Sequence, residues 1–289
     1  MTSMIATVAP DCGRLTMDSY WRIEAGSLIE QKLPELVQKP QSLPPYDDSE
    51  IRIVSGGFYR PKAWHFAESR MVMGVSGSAH RFVFDEARAA AGVEQFAERW
   101  PEWSRLAAED PRLQTALIIA IGWSNHRRRV VGYTFQPESA WRAELLELGS
   151  AAVPDVNRGP GASAFQDYFR HSFRSPLKDH QATELHLLHG RNAAWSSRQG
   201  LLGDGGDIVR GPLNMWTVTR EGVTVKQLAD LDDDRPTNQG ALGTPAAEAA
   251  PIAGPFTAST TTNHGGLLES LIHSTRRRFT ALCGKATPQ

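Results

Sequence analysis

The hydrophobic pattern of the chain predicts a β-rich protein with interspersed helices. Met4 to Ala9 and Arg14 to Met17 flank a Pro-Asp-Cys-Gly turn, which is typical of a β-hairpin. Compact apolar runs predict further strands at 71–75, 117–123, 130–135 and 141–148 and a last hairpin at 213–219 and 223–228. Helical spacing recurs at 82–91, 96–107, 162–173 and 181–197. This order predicts an α+β fold in which two antiparallel sheets are covered by helices on both faces.

Composition narrows the class of protein. The chain has 289 residues, 40% of them hydrophobic, which is enough for a buried core. With 31 basic and 32 acidic side chains the net charge is -1, so we expect no general nucleic-acid binding. No apolar run approaches the roughly 20 residues of a membrane span, so we expect no membrane partner. Two cysteines far apart, Cys12 and Cys283, favour a reducing compartment and predict a cytoplasmic location.

Composition also predicts the domain boundaries. Residues 1–229 form the predicted folded domain, and 38–70 is interpreted as an insertion loop because its first part is rich in proline and lacks periodicity. Residues 230–289 carry an aspartate run and many Pro, Ala, Thr and Gly residues. We therefore expect a largely disordered tail of low complexity there.

The start of the chain carries a family resemblance. The opening Thr2-Ser3-Met4-Ile5-Ala6, the acidic Asp18 and the later Lys32-Leu33 are similar to the N-terminal-nucleophile hydrolases of the proteasome β-subunit family. Bacterial proteasome-like threonine peptidases belong to the same group. The resemblance extends from Thr2 to about Leu228 and implies a four-layer αββα sandwich.

The resemblance implies that the mature chain begins at Thr2, once Met1 has been removed. The Thr2 hydroxyl is then the nucleophile, and its free α-amine, with an ordinary pKa near 7.7 to 8.0, is the general base. Lys32 would lie beside the hydroxyl and stabilise the alkoxide, while Asp18 would hold Lys32 charged and oriented.

Further site residues follow from the same resemblance. The run Met73-Gly74-Val75-Ser76-Gly77-Ser78-Ala79 resembles the family's strand-to-helix junction, in which the Gly74 amide would bind the oxyanion. Ser76 projects to the same side of the strand as Gly74 and would shape the substrate pocket. Ser150, in Gly149-Ser150, would bind the terminal amine, and Asp204 and Asp207 are both candidates for a supporting acid.

The resemblance implies peptide-bond hydrolysis of a peptide or polypeptide substrate through an acyl-enzyme, without metal or cofactor. It also implies a homo-oligomeric ring, with an unfoldase as a further candidate partner. Size-exclusion chromatography with light scattering tests the ring, because a monomer encloses no chamber. Three alternatives remain open: a catalytically inactive structural subunit of the same fold, a small-amide hydrolase, and a binding or scaffold protein.

Two histidines on the last predicted helix form a separate candidate. His186 and His189 are spaced to face one metal ion together, but their spacing matches no specific metal site. We therefore interpret them as part of the helix surface.

Overall fold

A computed structural model describes residues 2–23, 25–43, 47–77, 81–99, 105, 117–136, 140–146, 149–153, 176–198 and 209–232. Residue contacts divide the chain into two units, Met1–Pro236 and Thr237–Gln289. The second unit, the predicted helix at 162–173 and both Asp204 and Asp207 lie outside the described residues.

The described part of the first unit is a mixed α+β structure. Its strands are β1 (Met4–Val8), β2 (Gly13–Met17), β3 (Tyr20–Arg22), β4 (Arg52–Val54), β5 (Gly57–Tyr59), β6 (Ala63–Phe66), β7 (Met71–Ser76), β8 (Leu117–Ser124), β9 (Arg129–Phe135), β10 (Glu144–Leu146), β11 (Gly149–Val153), β12 (Pro212–Val218) and β13 (Val223–Asp230). Its helices are α1 (Leu28–Gln38), α2 (Arg81–Ala89), α3 (Val93–Glu98) and α4 (Asp179–Arg198), with a 3-10 turn at Pro40–Ser42. None of these helices is long and apolar enough to cross a bilayer.

The strands form three antiparallel sheets. The first sheet has the order β11-β1-β2-β12-β13, and the second has the order β10-β9-β8-β7-β6. A small third sheet, β3-β5-β4, stands beside them. The predicted hairpins β1–β2, β8–β9 and β12–β13 are all confirmed, because each pairs antiparallel across a short turn.

The core lies between the first and second sheets and on their outer faces. Met4, Leu15 and Met17 from the first sheet pack with Val72 and Ile119 from the second. On the outer face of the second sheet, α2 and α3 cover the alternate residues of β7 to β9. On the outer face of the first sheet, α4 covers Ile5. Strands buried on both faces read as continuous apolar runs, which is why β1 and β7 lack a clear polar alternation.

The segment interpreted as an insertion loop is more ordered than expected. It contains β4, β5 and β6, and the helix α1 ends just as it begins. Strands of three or four residues are too short for periodicity to reveal. The predicted tail boundary also shifts, because β13 continues to Asp230 and Leu231 is buried beyond it.

Candidate active site

The candidate site begins where β1 starts and β2 ends. Because these strands are antiparallel, Ser3 and Asp18 come side by side just beyond the paired Met4 and Met17. The Asp18 amide donates to the Ser3 carbonyl at 3.3 Å. In return the Ser3 amide donates to Oδ1 of Asp18 at 2.7 Å, and the Tyr20 amide donates to Oδ2 at 3.2 Å. Backbone groups therefore fix the orientation of this buried carboxylate.

Lys62 supplies the positive charge that faces Asp18. Its Nζ lies 2.9 Å from Oδ2 of Asp18, and both side chains are almost completely buried. Lys62 immediately precedes β6, where its carbonyl accepts from the Val75 amide of β7 at 3.3 Å. Burial lowers the pKa of Lys62, and the Asp18 carboxylate opposes that change. Burial likewise raises the pKa of Asp18, against the effect of the Lys62 ammonium.

Thr2 directly precedes Ser3, the residue whose amide binds the Asp18 carboxylate. The amide that binds Oδ1 of Asp18 belongs to the peptide group joining Thr2 to Ser3, so the Thr2 Cα is two bonds from the donor nitrogen. Thr2 is itself buried. The β1–β2 register thus brings the first residues of the chain to the Asp18–Lys62 pair.

A second group of buried polar side chains adjoins the pair through Ser3. His186 and His189 are three residues apart on α4 and therefore share one face of the helix. The Nδ1 atoms of both histidines lie 2.6 Å from the Ser3 Oγ. Nε2 of His186 lies 2.8 Å from the Oγ1 of Thr16, which donates to the Ile5 carbonyl at 3.2 Å.

The number of hydrogens that Thr16, Ser3 and the two histidines carry fixes which atom donates in each hydrogen bond of this network. Since Thr16 gives its only hydroxyl hydrogen to Ile5, Nε2 of His186 must be the donor to Thr16. Burial, with Lys62 and His189 adding to it, lowers the pKa of His186 well below 6.5, so the ring is neutral and its Nδ1 accepts. Ser3 then donates to His186, and Nδ1–H of His189 donates to Ser3. Hydrogen bonds aligned in this way polarise and strengthen one another.

Lys32 is not part of the site. It lies exposed on α1, whereas the predicted partner Asp18 is fully buried and pairs with Lys62. The sequence pattern used to predict the active-site lysine is a lysine followed by an apolar residue. Both Lys32-Leu33 and Lys62-Ala63 fit it. What separates them is that Lys62 directly precedes a strand, and the strand lies in the sheet that faces β1 and β2.

Gly74 lies in the middle of β7, between β6 and β8, opposite Ala63 and Ile119. Because the next amide, that of Val75, points to Lys62, the Gly74 amide is directed to β8. This position gives no support to an oxyanion role. Ser76 is buried and, by strand alternation, shares the face of Gly74 that looks toward the first sheet.

Ser150 lies farther from Thr2 than the resemblance implies. The register of β11 on β1 places Ser150 opposite Thr7, five residues along β1 from Thr2. Five residues of a strand span roughly 17 Å, which is too far for a hydrogen bond to the Thr2 amine. The expectation of a Ser150–amine contact is therefore corrected.

The expected surface position of His186 and His189 is also wrong, since both are fully buried. The sequence gives little sign that these histidines are buried, because a histidine in a helical pattern does not show whether a polar partner lies on the sheet beneath it. The described residues contain no group of three or more His, Cys, Asp or Glu side chains placed to hold a metal ion.

Comparison with known proteins does not assign this site. No protein-family profile matches the chain, and no curated protein is significantly similar to it in sequence.

The arrangement itself defines what chemistry is accessible. A lysine ammonium and an aspartate carboxylate lie beside the first residues of β1, withdrawn from water, where charges are screened less than in solution. A cation in such a place can stabilise an alkoxide and keep a nearby amine unprotonated.

Proposed function

We propose that the chain is an N-terminal threonine hydrolase of proteasome-like αββα architecture in which Lys62, and not Lys32, is the active-site lysine. The order of helices, sheet, sheet and helix supports the proposed four-layer sandwich. The observation that carries the proposal is the buried Asp18–Lys62 ion pair at 2.9 Å, joined through Oδ1 of Asp18 to the peptide group after Thr2.

The proposed reaction begins with removal of Met1. The freed Thr2 amine takes the proton of the Thr2 hydroxyl, whose oxygen attacks the carbonyl carbon of a peptide bond. The peptide C–N bond breaks, the proton passes to the leaving amine, and an ester on Thr2 remains. Water activated by the same amine hydrolyses the ester and restores the hydroxyl. Lys62 stabilises the alkoxide, and Asp18 orients Lys62.

A covalent labelling experiment tests the proposal. Intact-mass measurement of the purified protein should show loss of Met1, and a threonine-directed β-lactone should add to Thr2. Labelling should disappear in Thr2→Ala and persist in Lys32→Met. It should slow by about 100-fold or more in the double variant Asp18→Asn/Lys62→Met, in which neither charge is left unpaired. Retention of Met1, or undiminished labelling of Thr2→Ala, would contradict the proposal.

Two observations favour a second candidate, a catalytically inactive structural subunit of the same fold. The Gly74 amide is directed to β8, and Ser150 lies opposite Thr7 instead of Thr2. An inactive subunit would lose Met1 or retain it without consequence, and it would show no β-lactone adduct in any variant. The labelling experiment therefore separates the two candidates.

A further inference from the structure

A cleft of about 670 Å³ lies at the end of the sheets opposite Thr2. It is formed where four hairpin turns meet: residues 9–12 between β1 and β2, 67–70 between β6 and β7, 125–128 between β8 and β9, and 219–222 between β12 and β13. Because β2 runs from this end to Asp18, the cleft and the candidate active site are roughly 17 Å apart.

Hydrogen bonds between the turns hold the cleft together. The Val130 amide donates to the Pro10 carbonyl at 2.7 Å, and the Trp123 amide donates to the Arg70 carbonyl at 3.3 Å. The Arg70 guanidinium donates to the Arg220 carbonyl at 2.9 Å and to Oδ1 of Asn125 at 3.0 Å. Arg70 is therefore fixed in place by two other turns.

The charges that line the cleft favour an anion. Arg70, Arg128 and Arg220 face it with Asp11 and Glu221, which leaves an excess of one positive charge. Within the part of the chain that the structure describes, none of the three guanidinium groups forms an ion pair within 4.0 Å. A guanidinium has five N–H donors, so Arg70 keeps donors beyond the two that it uses on the turns.

The backbone adds an independent observation. Arg70 and Arg128 have φ angles of 47° and 52°, in the left-handed region where glycine and asparagine are favoured. Two of the four non-glycine residues with positive φ in the described chain thus line this one cleft. Strained positions that keep a long cationic side chain point to a use for that side chain.

From the cleft, its three arginines without an ion pair in the described chain, and the left-handed backbone of Arg70 and Arg128, we propose that this end of the protein binds a small oxyanion ligand, carrying a phosphate or carboxylate group, between Arg70, Arg128 and Arg220. Half-buried Trp123 forms an apolar wall for the rest of the ligand. This proposal does not depend on the proposed hydrolase activity.

Titration calorimetry at low ionic strength tests the site, with inorganic pyrophosphate and succinate as separate probes. We expect saturable binding of at least one probe, and the tighter one identifies the anionic group. Arg128→Gly and Arg220→Gln should each weaken binding by roughly tenfold or more. Arg88→Gln, which removes an exposed arginine of α2 outside the cleft, should bind like the wild type.

Arg128→Gly also separates binding from folding. Glycine relieves the left-handed backbone, so the melting temperature should stay unchanged or rise while affinity falls. Absence of saturable binding for both probes would overturn the proposal. Equal binding by all variants, or equal loss in Arg88→Gln, would overturn it as well, because the anion would then be held elsewhere or by general charge.

Discussion

Removing Asp18 and Lys62 from water is unfavourable, and the fold compensates with directed hydrogen bonds. The carboxylate accepts from the Ser3 and Tyr20 amides and from Lys62, so the charge is shared over several donors. Loss of one partner is then far more destabilising than loss of both, since it leaves one buried charge without compensation.

We predict that Lys62→Met lowers the free energy of unfolding by about 3–5 kcal/mol, because it leaves Asp18 charged or forces its protonation in the interior. The double variant Asp18→Asn/Lys62→Met should recover much of that loss. Lys32→Met, on the exposed face of α1, should change stability by no more than about 0.5 kcal/mol. Urea denaturation measures all three, and equal effects at Lys32 and Lys62 would contradict the assignment of the buried cation.

At the scale of elements, the packing of α4 on the first sheet depends on histidines that stay neutral. Burial lowers the pKa of His189 to about 3 and that of His186 well below 6.5. A second proton on His186 would occupy the Nδ1 that accepts from Ser3, with Lys62 close by to repel the added charge. Acid therefore acts directly on the contact between helix and sheet.

We predict that stability falls as the pH is lowered from about 6.5 toward 3, because the unfolded histidines bind protons that the folded ones exclude. The slope contributed by each such histidine is about 1.4 kcal/mol per pH unit in that window. His189→Gln should reduce this slope by about 1.4 kcal/mol per pH unit, the contribution of one proton. Urea unfolding at a series of pH values measures the slope. His180→Gln, which removes an exposed imidazole of the same helix outside the buried cluster, is the matched control. An identical slope in the wild type and His189→Gln would exclude this account.

The elements that sequence patterns could predict are those whose signals are local. The β1–β2 hairpin carries its own turn residues, and α4 carries a long helical pattern. The paired partner of Asp18 depended instead on which strand follows a lysine, and the Ser150 position depended on the register between β11 and β1. Neither property is encoded in neighbouring residues, so a pattern along the chain selected Lys32 and placed Ser150 too close to Thr2.

On the scale of the whole molecule, the two large sheets approach each other closely at Gly74. A Cβ at this position would lie 2.6 Å from Sδ of Met17, 2.8 Å from Sδ of Met4 and 2.9 Å from Cδ2 of Leu15. These are side-chain ends of the opposite sheet, so any substitution pushes the sheets apart or forces repacking between them.

We predict that Gly74→Ala destabilises the protein by about 1–3 kcal/mol through this overpacking. Gly92, just before α3, is the matched control, since a Cβ there meets nothing within 4 Å and its φ of 177° is open to any residue. Gly92→Ala should therefore change stability by no more than about 0.5 kcal/mol. Thermal unfolding compares the two variants, and a neutral Gly74→Ala would show that the methionine ends move aside without loss.

The short pairing of β3 with β5 holds the chain together close to the ion pair. Tyr20 lies opposite Tyr59, so the two ends of the long segment between these residues meet near both Asp18 and Lys62. The distance between the Asp18 carboxylate and the Lys62 ammonium therefore does not depend on how many residues this segment contains. Residues can therefore be added to or removed from this segment without separating the acid from the lysine, as long as β3 and β5 stay paired.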